Sequence, residues 1–125
     1  MRFTFKKDEK LKSHKLIERL FVEGQRLKSY PLQLVYLETT HTSEAKIQVG
    51  FSVPKRRFKR AVDRNRIKRL IREAYRLQKH NLKVIQDLNC TKIYIFMFVY
   101  IAKEELSYKE ISTQMASIIT KFNTK

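Results

Sequence analysis

Ten consecutive residues, Ile93-Tyr94-Ile95-Phe96-Met97-Phe98-Val99-Tyr100-Ile101-Ala102, carry no charge, and Lys92 and Lys103 close the run at both ends. The stretch is half of the roughly 20 residues that a membrane-spanning helix requires. From Ile93 to Ile101 it is dense in β-branched and aromatic residues without alternation, which is the pattern of a central strand covered on both faces. A chain built around such a strand must supply an apolar layer on each side of it. With 125 residues and 42% hydrophobic content there is material for one core, so the sequence predicts a single domain, 1–125, with 1–12 and 123–125 as candidate flexible ends.

The layers can be read from periodicity. Ser13 to Glu23 places Leu16, Ile17, Leu20 and Phe21 on one stripe, with Ser13 as N-cap and Gly24 just past the end. Leu32 to Glu38 and Lys46 to Val53 read as strands; in the second, Ile47, Val49, Phe51 and Val53 alternate with Lys46, Gln48, Gly50 and Ser52. The polar stretch Thr39 to Ala45 predicts a hairpin between them. From Asp63, taken as N-cap, the spacing becomes helical: Ile67, Leu70, Ile71 and Ala74 lie on one face and Asn65, Lys68, Arg69, Arg72 and Arg76 opposite. Val84, Ile85 and Leu88 allow a short helical turn. Ser107-Tyr108-Lys109-Glu110 is a capping-box sequence, followed at helical spacing by Ile111, Met115, Ile118, Ile119 and Phe122. The predicted fold class is α+β, an α-β-β-α-β-α sandwich with helices packed on one small sheet.

Several function classes are excluded at this level. One cysteine, Cys90, cannot close an intramolecular disulfide, so a disulfide-stapled secreted scaffold is ruled out and the compartment reads as reducing. The N-terminal Met1-Arg2-Phe3-Thr4-Phe5-Lys6-Lys7 is basic, but no apolar stretch of signal-peptide length follows it; the expected location is the cytoplasm, without membrane partners. Two glycines and two prolines leave no room for a phosphate-cradling glycine-rich loop. His14, His41 and His80 fall on three segments without zinc-like spacing, and the acidic pairs Asp8-Glu9 and Glu104-Glu105 are not a carboxylate cluster. Metal-dependent phosphodiester cleavage needs such a cluster, so the chain is expected to hold no metal and to supply no catalytic residue.

What it does supply is charge. The formal net charge is +16, and Pro54 to His80 alone holds twelve Lys/Arg against two Asp/Glu. A cation of this size collects polyphosphate partners by diffusion before any specific contact forms. In this reading Arg64 and Arg66 occupy the first turn of the second helix, where cations oppose the helix dipole. A phosphate is then their missing counterion, and removing both arginines is expected to spare folding while weakening polyphosphate binding. Lys68, Arg69 and Arg72 extend the surface. Among the aromatics, Tyr94, Phe96, Phe98 and Tyr100 read as core rather than as a stacking platform, whereas Phe58, set among Lys55, Arg56, Arg57, Lys59 and Arg60, reads equally as a stacking ring or as a loop anchor.

The run Arg64-Asn65-Arg66-Ile67-Lys68-Arg69-Leu70-Ile71-Arg72-Glu73 resembles the RNR signature of the protein subunit of bacterial ribonuclease P. Val49-Gly50-Phe51-Ser52-Val53-Pro54-Lys55-Arg56 is similar to the strand and basic loop that precede it, and Phe21-Val22-Glu23-Gly24 is a third match. The resemblance implies a fold like the second domain of ribosomal protein S5, with a left-handed crossover that the general rule for parallel crossovers would not give. It further implies a holoenzyme, one protein to one RNA, in which a catalytic RNA with its own Mg²⁺ ions removes the 5′ leader of precursor tRNA. By the same resemblance Arg64, Asn65, Arg66, Lys68, Arg69 and Arg72, with the basic loop Lys55, Arg56, Arg57, Lys59 and Arg60, bind that RNA. Phe21, with Ile17 one turn earlier, lies in a leader cleft between the first helix and the sheet. Two other classes compete: a structural ribosomal-RNA-binding protein, and a DNA-binding regulator, which lacks the short helix that a helix-turn-helix needs before residue 63.

Overall fold

The apolar run forms the second interior strand of a four-stranded sheet. The computed structural model describes residues 9–39 and 45–124. Its strands are β1 (Gln25–Ser29), β2 (Leu32–Glu38), β3 (Ile47–Ser52) and β4 (Tyr94–Tyr100), and its helices are α1 (His14–Glu23), α2 (Ala61–Gln78), α3 (Lys83–Gln86) and α4 (Tyr108–Asn123), with a 3₁₀ turn at Lys79–Asn81. The sheet order is β1-β2-β4-β3, with β3 parallel to β4 and the other pairs antiparallel.

Two features depart from the sequence reading. The strands Leu32–Glu38 and Ile47–Ser52 do not form a hairpin, because β4 lies between them and bonds to both. An apolar strand covered on both faces also needs a backbone partner on each edge, and inserting β4 between β2 and β3 provides both. The hairpin in the structure is β1–β2, closed at Tyr30-Pro31. Strand β1 escapes a hydrophobic-pattern reading because Leu27 is the one aliphatic residue in Gln25-Arg26-Leu27-Lys28-Ser29; its outer edge pairs with no described strand, and Arg26 and Lys28 are exposed. The second departure is that α2 starts at Ala61, two residues before Asp63, and no side chain caps it.

The two apolar layers are unequal. Phe96, Phe98 and Tyr100 of β4 join Leu32, Leu34 and Tyr36 of β2 beneath α2 and α4, which contribute Ile67, Ile71 and Tyr75, and Ile111, Met115, Ile118, Ile119 and Phe122. On the other face Ile95 and Met97 meet Val35, Leu11 and Leu20, with Leu16 and Ile17 of α1 packed against them. The alternating residues of β4 thus fill both cores, which settles Tyr94, Phe96, Phe98 and Tyr100 as packing residues. Burial pushes the Tyr75 hydroxyl well above the ordinary phenol range and raises that of Tyr100 as well.

The expected caps form. Ser13 Oγ accepts from the Leu16 amide at 3.3 Å, and Ser107 Oγ from the Glu110 amide at 3.2 Å. Near the ends of the chain, Leu11 is buried with its amide bonded to the Val49 carbonyl at 3.0 Å, Glu9 pairs with Lys79 at 2.6 Å, and Asn123 Oδ1 accepts from the Lys83 amide at 2.9 Å. No helix among the described residues is long and apolar enough to cross a membrane.

Gly24 ends α1 with ordinary dihedrals (φ −69°, ψ 155°), so conformational freedom is not why it is glycine. A Cβ there would collide with the Leu20 carbonyl oxygen and lie 3.0 Å from Val35 Cγ1. Backbone cannot yield as a side chain can, so Gly24→Ala is expected to destabilise the fold by about 1 to 3 kcal/mol, read as a lowered denaturation midpoint with unchanged slope.

Candidate nucleic-acid interface

The basic segment begins where β3 leaves the sheet. The amides of Arg57 and Phe58 both bond to the Pro54 carbonyl, at 3.2 and 3.3 Å, folding residues 54–58 into a tight turn. Phe58 is buried, its ring 5.8 Å from that of Tyr100. The stacking alternative for Phe58 therefore gives way to the anchoring one. Its burial fixes the turn, and Lys55, Arg56, Lys59 and Arg60 stand exposed around it with Arg57 half-buried.

Helix α2 divides the RNR residues rather than presenting them together. At about 100° per residue, Asn65, Lys68 and Arg72 share one flank, Arg69 lies near the crest, and Arg66 falls on the opposite flank. Arg64 Nη1 donates to the carbonyls of Phe58 and Lys59, at 2.9 and 2.8 Å, and so closes the basic loop onto the helix. Arg66 donates through Nη2 to Asp63 Oδ1 at 2.7 Å, and through Nε and Nη2 to Glu105 Oε1 at 3.1 and 2.7 Å. Hydrogen bonding to Glu105, then its charge, holds the Arg66 guanidinium above its already high range.

These contacts correct the first-turn expectation. With α2 starting at Ala61, Arg64 is the fourth helical residue and Arg66 the sixth, so neither crowds the helix N-terminus. Asp63, inside the first turn, pairs with Arg60 at 3.3 Å and with Arg66. Both arginines have internal partners, and removing Arg64 cannot be neutral for folding. By contrast the side chains of Lys55, Arg56, Arg57, Lys59, Lys68, Arg69 and Arg72 make no hydrogen bond or ion pair with another described residue. Further along α2, Glu73 is spent on Arg76, whose hydrogen bond holds its carboxyl below the usual range.

A second surface adjoins the first. In register across the four strands, Lys28, Gln33, Val99 and Ser52 form one row on the α1 face of the sheet, at the end from which the basic loop departs. Lys28 is exposed and the other three are partly so. Helix α1 covers the rows nearer the other end: Leu20 is fully buried, and Arg19 Nη1 reaches Thr39 Oγ1 beyond the end of β2 at 2.8 Å. Ile17 and Phe21 lie about 200° around the helix from Arg19 and so line the flank turned toward the open row. Ile17 is partly buried against the core, whereas Phe21 is 39% exposed. Sequence reasoning missed this row because it missed β1; with that strand recognised, period-two alternation would have put Lys28 beside Gln33.

The structure thus brings together a loop of unpaired cations, the Lys68–Arg72 flank of α2 and an open sheet row edged by an exposed phenylalanine. A cleft of about 790 Å³ at the opposite end of the sheet is lined by Tyr36, Tyr94 and Phe122, with Glu23, Glu38 and Asp87 offset by Lys83 and Lys92, and so lacks the cationic excess of the α2 surface. Among the described residues no group of three His, Cys, Asp or Glu side chains could hold a metal ion. Fold and surface together define a small α+β protein with one basic face of the kind that nucleic-acid-binding proteins carry.

Comparison with known proteins gives the family. The ribonuclease P family model matches residues 5–123, and the chain belongs to that family. The ribonuclease P protein component of Porphyromonas gingivalis is 43% identical over 98 residues, 78% of this chain and 72% of that one. The corresponding component of Chlorobium phaeobacteroides is 40% identical over 87 residues, covering 67% and 60% of the two chains. Among solved structures, the RNase P protein of Thermotoga maritima superposes with a TM-score of 0.70 at 17% identity over 90% of this chain and 96% of that one. A Staphylococcus aureus RNase P protein mutant gives 0.71 at 18% identity over 92% and 88%. These two likenesses concern the fold.

Because Arg64 holds two backbone carbonyls, Arg64→Ala is expected to lower folding stability by about 1.5 to 3 kcal/mol, the range for hydrogen bonds to a charged group. Arg72→Ala, which breaks no contact within the described residues, should stay within about 0.5 kcal/mol of the parent. Thermal and urea unfolding of the two variants side by side checks this contrast.

Proposed function

We propose that the chain serves as the RNA-binding protein subunit of a ribonuclease P holoenzyme. In this reading the unpaired cations Lys55, Arg56, Arg57 and Lys59, with Arg60 beside them, and the Lys68–Arg72 flank engage the catalytic RNA, while the open row and Phe21 take the 5′ leader of precursor tRNA. The observation that carries it is the continuity of an uncompensated cationic surface with a partly apolar trough. Phosphates satisfy the first without reading sequence. Bases of a single strand can stack in the second, each such stack being worth roughly 1 to 3 kcal/mol. Every relative named above is a ribonuclease P protein component, and the ribosomal alternative has no such support.

The reading assigns the chemistry to the RNA. The donor set of this chain suits binding and electrostatic screening, and the Mg²⁺ ions of the reaction are taken to sit on RNA phosphates. The protein's part is to lower the repulsion between two polyanions, the catalytic RNA and its substrate, and to position the leader between them. One protein per RNA and a cytoplasmic location belong to the same reading, as does 1–125 acting as a single RNA-binding domain.

Three outcomes are expected. The isolated protein with Mg²⁺ leaves precursor tRNA intact, and cleavage at the mature 5′ end requires added catalytic RNA; efficient cleavage by RNA-free protein would overturn the assignment of chemistry. Phe21→Ala weakens holoenzyme binding of precursor tRNA more than of mature tRNA, whereas equal losses with a large fall in Tm would make Phe21 a packing residue. Changing Lys68, Arg69 and Arg72 together to alanine weakens binding of the catalytic RNA and flattens its salt dependence by about one unit of slope per lost phosphate contact, measured by filter binding across a salt series.

A further inference from the structure

The pairing of Arg66 with Glu105 joins two elements that sequence separates by 39 residues. Arg66 offers the Nε/Nη2 edge of its guanidinium, the edge that receives carboxylates and phosphates alike, and one oxygen of Glu105 fills it at 3.1 and 2.7 Å. The other acid in reach, Asp63, sits three residues earlier on the same helix and stays beside Arg66 whatever is bound. Glu105 comes from the loop between β4 and α4. The buried Tyr100 hydroxyl fixes that loop, donating to the Glu104 carbonyl at 2.7 Å and accepting from the Leu106 amide at 3.0 Å. The backbone on either side of Glu105 is therefore held, while its side chain lies at the surface, 38% exposed, against an Arg66 side chain that is 51% exposed.

We propose that Glu105 is a resident counterion that occupies on Arg66 the place of an RNA phosphate, so that RNA engages this flank of α2 by exchanging carboxylate for phosphate. The idea takes its biological partner from the function proposed above, but the exchange itself needs only a polyphosphate. It makes Glu105 a positioning residue that acts through Arg66. A polyanion that touches Arg66 alone swaps one anion for another and gains little. An RNA that reaches Lys68, Arg69 and Arg72 as well finds cations with no partner to displace. An exposed ion pair adds little to folding, which leaves competition with the ligand as the larger effect of placing an acid at this position.

Glu104 supplies the control, since it is exposed on the same loop and its side chain pairs with nothing on α2. Glu105→Gln and Glu104→Gln add the same charge one residue apart. Affinities of the full-length protein for ribonuclease P RNA and for poly-U, each over a salt series, are measured for the parent, both glutamine variants, Arg66→Ala and the double variant Arg66→Ala with Glu105→Gln; Tm is recorded for each. Glu105→Gln should bind both RNAs about three- to ten-fold more tightly, with a salt slope steeper by up to about one. Glu104→Gln should give a markedly smaller gain, and in the Arg66→Ala background the Glu105 change should give none beyond it. Equal gains from the two glutamine variants, an undiminished gain without Arg66, or weaker binding by folded Glu105→Gln would each overturn the proposal. If the parent fails to prefer ribonuclease P RNA over poly-U, the functional reading fails, and the poly-U series still decides the exchange.

Discussion

Burial of β4 on both faces is the constraint from which the other contacts follow. Covering one large apolar side chain contributes on the order of 1.5 to 3 kcal/mol, and β4 sends Phe96, Phe98 and Tyr100 to one side and Ile95 and Met97 to the other. That requirement places β4 between β2 and β3, and the crossover through α2 makes the β3–β4 pair parallel. Strands running in parallel leave a sheet at the same end, so the basic loop after β3 and the acidic loop after β4 emerge side by side. Tyr100, the last residue of β4, serves both: its ring packs on Phe58 of the first loop, and its hydroxyl ties down the second.

The resulting surface has two kinds of cation. Arg60, Arg64 and Arg66 are engaged with Asp63, with loop carbonyls and with Glu105, and they shape the surface that the others present. Lys55, Arg56, Lys59, Arg69 and Arg72 are exposed and form no ion pair with a described residue, although the charge of Arg72 is felt by Glu73. Net charge alone does not distinguish the kinds: Arg64, through the Phe58 and Lys59 carbonyls, ties the loop to the helix, whereas the exposed ion pairs of Arg60 and Arg66 add little to folding.

Much of this was legible in the sequence. The capping residues Ser13 and Ser107, the apolar stripe of α4 and the two-faced character of the Ile93–Ile101 run are local signals, and local chemistry realises them as read. The RNR run was legible as a motif and as a charge excess. Strand β1 was not legible, because an edge strand needs only one apolar side chain to lean on the core and Leu27 provides it. The β2–β3 hairpin was misread because adjacency in sequence says nothing of a later strand that needs both edges. Nor could sequence assign Arg66 to Glu105: an acid 39 residues away becomes its partner only after the parallel pairing brings the two loops to one end of the sheet.

The outer margin of β1, where Lys121 Nζ donates to the Lys28 carbonyl but no described strand pairs, has a consequence for how copies of the chain meet. An unpaired strand edge is a template on which a strand of another molecule can add. Here Arg26 and Lys28 stand exposed along it, and the surrounding surface of a +16 chain repels a second copy out to a Debye length of about 8 to 10 Å at physiological salt. In the proposed function the charges that meet RNA thus also oppose edge-to-edge pairing of two copies. When RNA neutralises part of that surface, or salt screens it, the repulsion guarding β1 weakens, so solubility and RNA affinity draw on one electrostatic reserve.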